Sequence, residues 1–187
     1  REHSSAKVIA ITGSAGKTSL KNLTKDLLQN FGKTFSSPKS FNNHLGVPIS
    51  LSNLSFDNKF GVFEVGMSKA GEISKLSKLI KPDIGIITNI GEAHIENFKS
   101  INGIAKAKSE IIANIKKGGK IILNRDDKFF NFLYKSFWIR FRIGTGKDFF
   151  MKFINSFEFF YWIGMVINTK IPKAVVHATI TPTFSNN

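Results

Sequence analysis

The stretch at 9–20, IAITGSAGKTSL, constrains the fold more than any other part of the chain. A Gly-Lys-Thr triplet follows an apolar run and opens a helical repeat. That is the context of a phosphate-binding loop, in which small residues let backbone N–H groups approach phosphate oxygens and the helix N-terminus adds partial positive charge. The loop is short. The common form, G-x-x-x-x-G-K-[ST], would place a glycine at position 11, where Ile11 stands, and the first glycine arrives only at Gly13. In this reading Gly13, Ser14, Ala15, Gly16 and Ser19 shape the cradle, Lys17 reaches the β- and γ-phosphates, and the Thr18 hydroxyl holds Mg²⁺. The bland alternative is a glycine-rich strand-to-helix turn that binds nothing. The strand and helix on either side favour the phosphate reading.

The pattern around the loop predicts an α/β chain. KVIAIT (7–12), FGVFEV (60–65), IGIITNI (84–90) and KIILN (120–124) read as strands. Leu20, Leu23, Leu27 and Phe31 recur at helical spacing, as do Ile73, Leu76, Leu79 and Ile80 ahead of Pro82. A third helix runs from Ile101 to Ile115, and Gly118-Gly119 stops it. Strands alternating with helices imply βαβ units and a mostly parallel sheet with helices on both faces. Ligands in such sheets sit beyond the carboxyl ends of the strands. The region from about 129 differs. It holds 11 of the 19 Phe between 129 and 160, and every Trp and Tyr, with poor periodicity. The final HATITPTFSNN reads as loop or frayed terminus. The expected division is a nucleotide-binding unit at 1–135 and, at 136–187, a divergent aromatic-rich tail or the incomplete remainder of the same unit.

Composition narrows the function classes. A chain of 187 residues can bury one sizeable core, with or without an appendage. It opens on Arg1 with no charged-then-apolar leader, which reads as a piece of a longer protein without a signal peptide. The absence of cysteine excludes disulfides and thiolate metal sites and suits a reducing cytoplasm. FINSFEFFYWIGMVI (153–167) is too short to span a membrane and carries Glu158. The net charge is +14, and 21 of the 27 basic residues lie in 1–135. The lysines are scattered through periodic segments instead of forming a block or an aromatic-interleaved stripe. We therefore read them as a solvated surface with some bias toward anionic substrates, and not as a nucleic-acid interface.

Five polar residues stand out. Glu64 sits inside an apolar strand, where an unpaired carboxylate is costly, so it pairs with a base or ligates a metal. Thr88-Asn89 interrupts the third strand near its carboxyl end. His94 lies just beyond, in GEAHIENF, where a surface loop histidine is the bland reading. Lys108 falls in the middle of the stripe formed by Ile101, Ile104, Ala105, Ile111, Ile112 and Ile115, whereas Lys106 points the opposite way. A lysine so placed either snorkels past the core edge, meets an anionic partner, or loses its charge.

These residues also resemble a family. ITGSAGKTS is similar to the shortened loop of the Mur ligases, ATP-dependent enzymes that add amino acids to the peptidoglycan precursor. EVGMSKAGEI (64–73), KPDIGIITNIGEAHIENF (81–98), AKAKSEI (105–111) and ILNRDD (122–127) follow in the family's order, so the likeness covers about 5–133. FNNHLGVP (41–48) is the sharpest element. It resembles the branch that joins D-alanyl-D-alanine to UDP-N-acetylmuramoyl-tripeptide; sibling muramyl ligases and folylpolyglutamate synthases differ there. The resemblance implies a cytoplasmic, monomeric, ADP-forming peptide ligase of cell-wall synthesis, present here as its central domain, with ATP and Mg²⁺ as cofactors. It assigns Lys17, Lys108 and His94 to catalysis. Thr18 and Glu64 would hold one Mg²⁺, and His94 with Lys108, as its carbamate, a second. Asn42 and Asn43 would face the nucleotide-peptide substrate, and Asn89 the phosphates. The implied reaction activates the tripeptide carboxylate as an acyl phosphate, which the amine of D-alanyl-D-alanine attacks. The N- and C-terminal domains of family members have no counterpart in this sequence.

Overall fold

The computed structural model describes residues 1, 4–93, 95–143 and 151–154. In chain order these form β1 (Lys7–Thr12), α1 (Lys17–Gln29), β2 (Thr34–Ser36), α2 (Gly46–Ser52), β3 (Phe60–Glu64), α3 (Glu72–Ile80), β4 (Ile84–Ile87), α4 (Ile101–Ser109), β5 (Lys120–Asn124), α5 (Phe130–Ile143) and β6 (Met151–Ile154). The strands form one sheet in the order β2-β3-β1-β4-β5-β6, and every pairing is parallel. The chain moves to one side of β1 for β2 and β3, then crosses back to lay β4 on the other side. That reversal opens a crevice at the carboxyl end of β1, where such sheets bind ligands.

Alternation along the strands explains the two cores. Val8 and Ala10 pack on one face with residues of α2, α3, α4 and α5, and Ile9 and Ile11 pack on the other against Leu20 and Leu28 of α1. Both faces are covered, so the central strands read as nearly continuous apolar runs.

The four expected strands and three expected helices are present, with informative differences. The buried face of α1 is Leu20, Lys21, Thr24 and Leu28, and Leu23 is 48% exposed. The apolar repeat therefore misplaces that face by about one residue, because a lysine and a threonine occupy half of it. Leu79 likewise points out, and Ser77 takes its place inside α3. β4 stops at Ile87, short of the expected 90, because Thr88, Asn89 and Gly91 turn aside to bond the glycine loop. The expected single helix over 101–115 is α4 followed by a tighter 3₁₀ turn at Glu110–Asn114.

Four elements have no clear sequence pattern. β2 has only three residues, and α2 carries Pro48 in its first turn, where proline is tolerated. In α5, Leu133 and Phe137 are buried one turn apart while Phe132 is 40% exposed. Aromatics on both faces hide that period. α5 runs through position 135, and β6 pairs in parallel with β5. The segment 153–167 and the terminus HATITPTFSNN fall largely or wholly outside the described residues. Among those described, no helix is long and apolar enough to cross a membrane.

Candidate functional site

The register of the sheet assembles the site. Ile11 of β1 lies opposite Glu64, the last residue of β3, and Thr12 opposite Ile87, the last of β4. The glycine loop that leaves β1 is thus flanked by the ends of β3 and β4.

A six-bond latch holds the loop to β4. Ser14 N–H donates to the Asn89 carbonyl at 3.0 Å and to its Oδ1 at 3.1 Å, and Ala15 N–H donates to the same Oδ1 at 2.9 Å. The Ser14 hydroxyl donates to Gly91 O at 2.9 Å and accepts from Gly91 N–H at 2.8 Å. Thr88 Oγ1 closes the latch by donating to Ala15 O at 2.7 Å. This arrangement accounts for the shortened front of the loop. The amides of Ser14 and Ala15 bind the protein, leaving the anion-seeking role to the N-terminus of α1, where no side chain caps the first turn. Asn89 therefore acts on the loop in this structure, from the place the sequence reading gave to a phosphate contact.

Gly13 makes the latch possible. Its φ is +151°, and a Cβ there would lie 1.8 Å from Thr88 Oγ1. We predict that Gly13→Ala destabilises the chain by about 3 kcal/mol, read by denaturant unfolding. Wild-type stability in that variant would mean that the loop is not held against β4.

Lys17 lies over the loop. Its amine donates to Gly13 O at 2.8 Å and, less closely, to Ser14 O at 3.4 Å. Burial lowers its pKa, and the nearby Glu64 carboxylate opposes that shift.

Glu64 is 1% exposed and fully engaged. Its Oε2 accepts from the Thr18 hydroxyl at 2.8 Å, and its Oε1 from Asn42 Nδ2 at 2.7 Å. The Lys21 ammonium stands 3.9 Å from Oε2. A carboxylate and a hydroxyl in contact at the mouth of the loop are hard oxygen donors, the kind Mg²⁺ takes when it keeps waters and shares phosphate oxygens. Among the described residues no group of three His, Cys, Asp or Glu side chains forms an all-protein cage. The donor set thus fits a phosphate-borne Mg²⁺.

Asn42 and Asn43 line the same cavity, of about 460 Å³, together with Gly13, Ser14, Lys17 and Lys108. Asn43 Oδ1 accepts from Leu45 N–H at 3.1 Å and Gly46 N–H at 2.9 Å, bracing the start of α2. Asn42 is pressed against Gly66, where a Cβ would lie 2.7 Å from its Oδ1.

Lys108 is 3% exposed and lines the cavity, a placement that argues against a lysine snorkelling to solvent. Burial, reinforced by the charge of Lys17, lowers its pKa to about 7. Its neighbour Lys106 is exposed. His94 lies outside the described residues; Ala93 lines the cavity.

Sequence reasoning missed several residues here. Lys21 is buried beside Glu64, and only its spacing of four from Lys17 hinted at it. Asp127 accepts from Ile90 N–H at 2.6 Å and Phe129 N–H at 2.8 Å, steadying the β4 loop. Glu110 accepts from Gly71 N–H at 2.8 Å and Ser74 N–H at 3.0 Å, tying the Lys108 segment to the start of α3. Both lie in stretches quoted for the family resemblance, AKAKSEI and ILNRDD, but the partners they bond depend on the tertiary fold.

A parallel α/β sheet with an uncapped glycine-loop helix and a buried carboxylate facing its threonine defines a phosphate-loop nucleotide-binding fold. The Mur ligase middle domain family model matches residues 11–174, and the chain belongs to that family. The UDP-N-acetylmuramoyl-tripeptide–D-alanyl-D-alanine ligase of Buchnera aphidicola subsp. Acyrthosiphon pisum is 45% identical over 131 residues, covering 70% of this chain and 29% of that protein. The crystal structure of MurF from Acinetobacter baumannii matches with a TM-score of 0.74 at 32% identity, covering 81% of this chain and 32% of that one. MurF ligase from Thermotoga maritima, solved in complex with ADP, matches with a TM-score of 0.69 at 30% identity, covering 81% of this chain and 33% of that one. This chain therefore spans under a third of the length of these relatives.

Proposed function

We propose that the chain is the ATP-binding central domain of an ADP-forming ligase that joins D-alanyl-D-alanine to UDP-N-acetylmuramoyl-tripeptide. The observation that carries this reading is the contact of Thr18 with the buried Glu64 beside Lys17. The names of the similar ligases and the ADP bound by the Thermotoga protein support it. In this reading the free amides at the start of α1 receive the phosphates, and the Lys17 amine leaves its loop carbonyls to neutralise charge on the transferring phosphoryl group. Thr18 and Glu64 would hold Mg²⁺, which when bound offsets phosphate charge. Lys108, with His94, would hold a second cation. A buried amine with a pKa of about 7 is substantially neutral at physiological pH, the state that carbamate formation requires. As a carbamate it would offer oxygens in place of a repelling ammonium. Asn42 and Asn43 would align the tripeptide, whose carboxylate is activated as an acyl phosphate before amine attack. The sheet contribution of β6 supports reading part of 136–187 as a remainder of the central domain.

The expected result is that the isolated chain binds Mg·ATP without turnover. A complete ligase containing it releases ADP only when tripeptide and dipeptide are both present. ADP-release assays on both proteins test this. Robust turnover by the chain alone would contradict the fragment reading. Equal activity on single amino acids or on folates would move the assignment to a sibling ligase.

A further inference from the structure

Lys21 is a fully buried lysine, 1% exposed, in a helix whose other buried positions are Leu20, Thr24 and Leu28. A cation in that place requires partners. It has two, one in the loop ahead of Asn42 and one at the end of β3. Its amine donates to the carbonyl of Lys39, and it stands 3.9 Å from Glu64 Oε2. Lys39 holds a left-handed backbone, φ +45°, which a non-glycine residue keeps only when its surroundings enforce it. Three residues later Asn42 returns to Glu64 through the other carboxylate oxygen. A closed circuit therefore runs from α1 through Lys21 to Lys39, along 39–42, and back through Asn42 to Glu64.

We propose that Lys21 is a positioning residue that fixes the 39–43 segment, and with it the peptide-substrate wall of the cavity, to the phosphate-loop helix. This rests on the reading of Asn42 and Asn43 as the substrate side. The Lys21 side chain bonds neither the α1 amides nor the Lys17 amine, so nucleotide binding through those groups does not depend on the tie, whereas its Glu64 contact reaches the cation site. Alignment of the second substrate does depend on the tie.

The test uses a complete ligase containing this chain, with Lys21→Met and Lys21→Arg variants and calorimetric titration of two probes. These are a non-hydrolysable ATP analogue without Mg²⁺, which leaves the Glu64 cation site out of the comparison, and UDP-N-acetylmuramoyl-tripeptide. Lys21→Met should weaken tripeptide binding by about tenfold to a hundredfold and leave the ATP analogue within about twofold. Lys21→Arg, which keeps a charged donor, should recover most of the loss. A general folding defect would weaken both probes together and overturn the proposal, as would unchanged tripeptide affinity. Failure of the wild-type protein to bind the tripeptide would overturn the functional reading itself and this inference with it.

Discussion

Lys108→Met is expected to stabilise the ligand-free chain at pH 7 and to abolish turnover in a complete ligase. The stability effect follows from the depressed pKa. Unfolded, the Lys108 amine binds a proton up to its ordinary value of 10.5; folded, it does so only below about 7. Between those values the unfolded state binds more protons, so the chain gains stability as pH rises through this window. The cost of burying the lysine is full below about 7 and absent above about 10.5. Replacing it with an apolar side chain of similar length should therefore add on the order of a few kcal/mol near neutral pH, shrinking as pH rises. Denaturant unfolding of both proteins across that window measures the difference. A gain that does not change with pH would mean that Lys108 keeps its charge in water. The activity arm uses Lys108→Arg as its partner. Arginine keeps a cation but forms no carbamate, so it should be as inactive as methionine, with ATP binding largely kept through Lys17 and Thr18. A fully active arginine variant would remove Lys108 from the metal site.

The parts of the fold legible in the sequence were those with a local signal. The apolar runs of β1, β3, β4 and β5 alternate between two buried faces, so each announces itself in a few residues. Lys108 was legible because one charge interrupts a long isoleucine stripe. The glycine loop was legible because phosphate chemistry demands its residue types in a fixed order. Lys21 was not, since the apolar repeat of α1 places it beside the stripe and only the tertiary partners Lys39 and Glu64 bring it inside. The role of Asn89 was half legible. Its place at the end of β4 followed from the strand pattern, but its bonds to Ser14 and Ala15 depend on how β1 and β4 pair. α5 escaped because its aromatics lie on both its faces, and β2 because three residues carry no period.

Lys17 carries the largest expected effect on nucleotide binding. Among the described residues its amine hydrogen-bonds to loop carbonyls, at 2.8 and 3.4 Å, so its removal breaks no hydrogen bond of the core. What it removes is a half-buried cation at the opening of α1, beside the Thr18–Glu64 contact. A charge-assisted bond to phosphate in such a place is worth about 2–4 kcal/mol, a loss of roughly 30-fold or more. Lys106, exposed on α4, supplies the control, since Lys106→Ala deletes the same charge from the solvated surface. The most direct measurement is calorimetric titration of a non-hydrolysable ATP analogue with Mg²⁺ into the wild-type chain and these two variants. Saturable binding by wild type and Lys106→Ala, with at least about a 30-fold loss in Lys17→Ala, is the predicted result. Equal affinities in all three proteins, or equal losses in both variants, would contradict the nucleotide site.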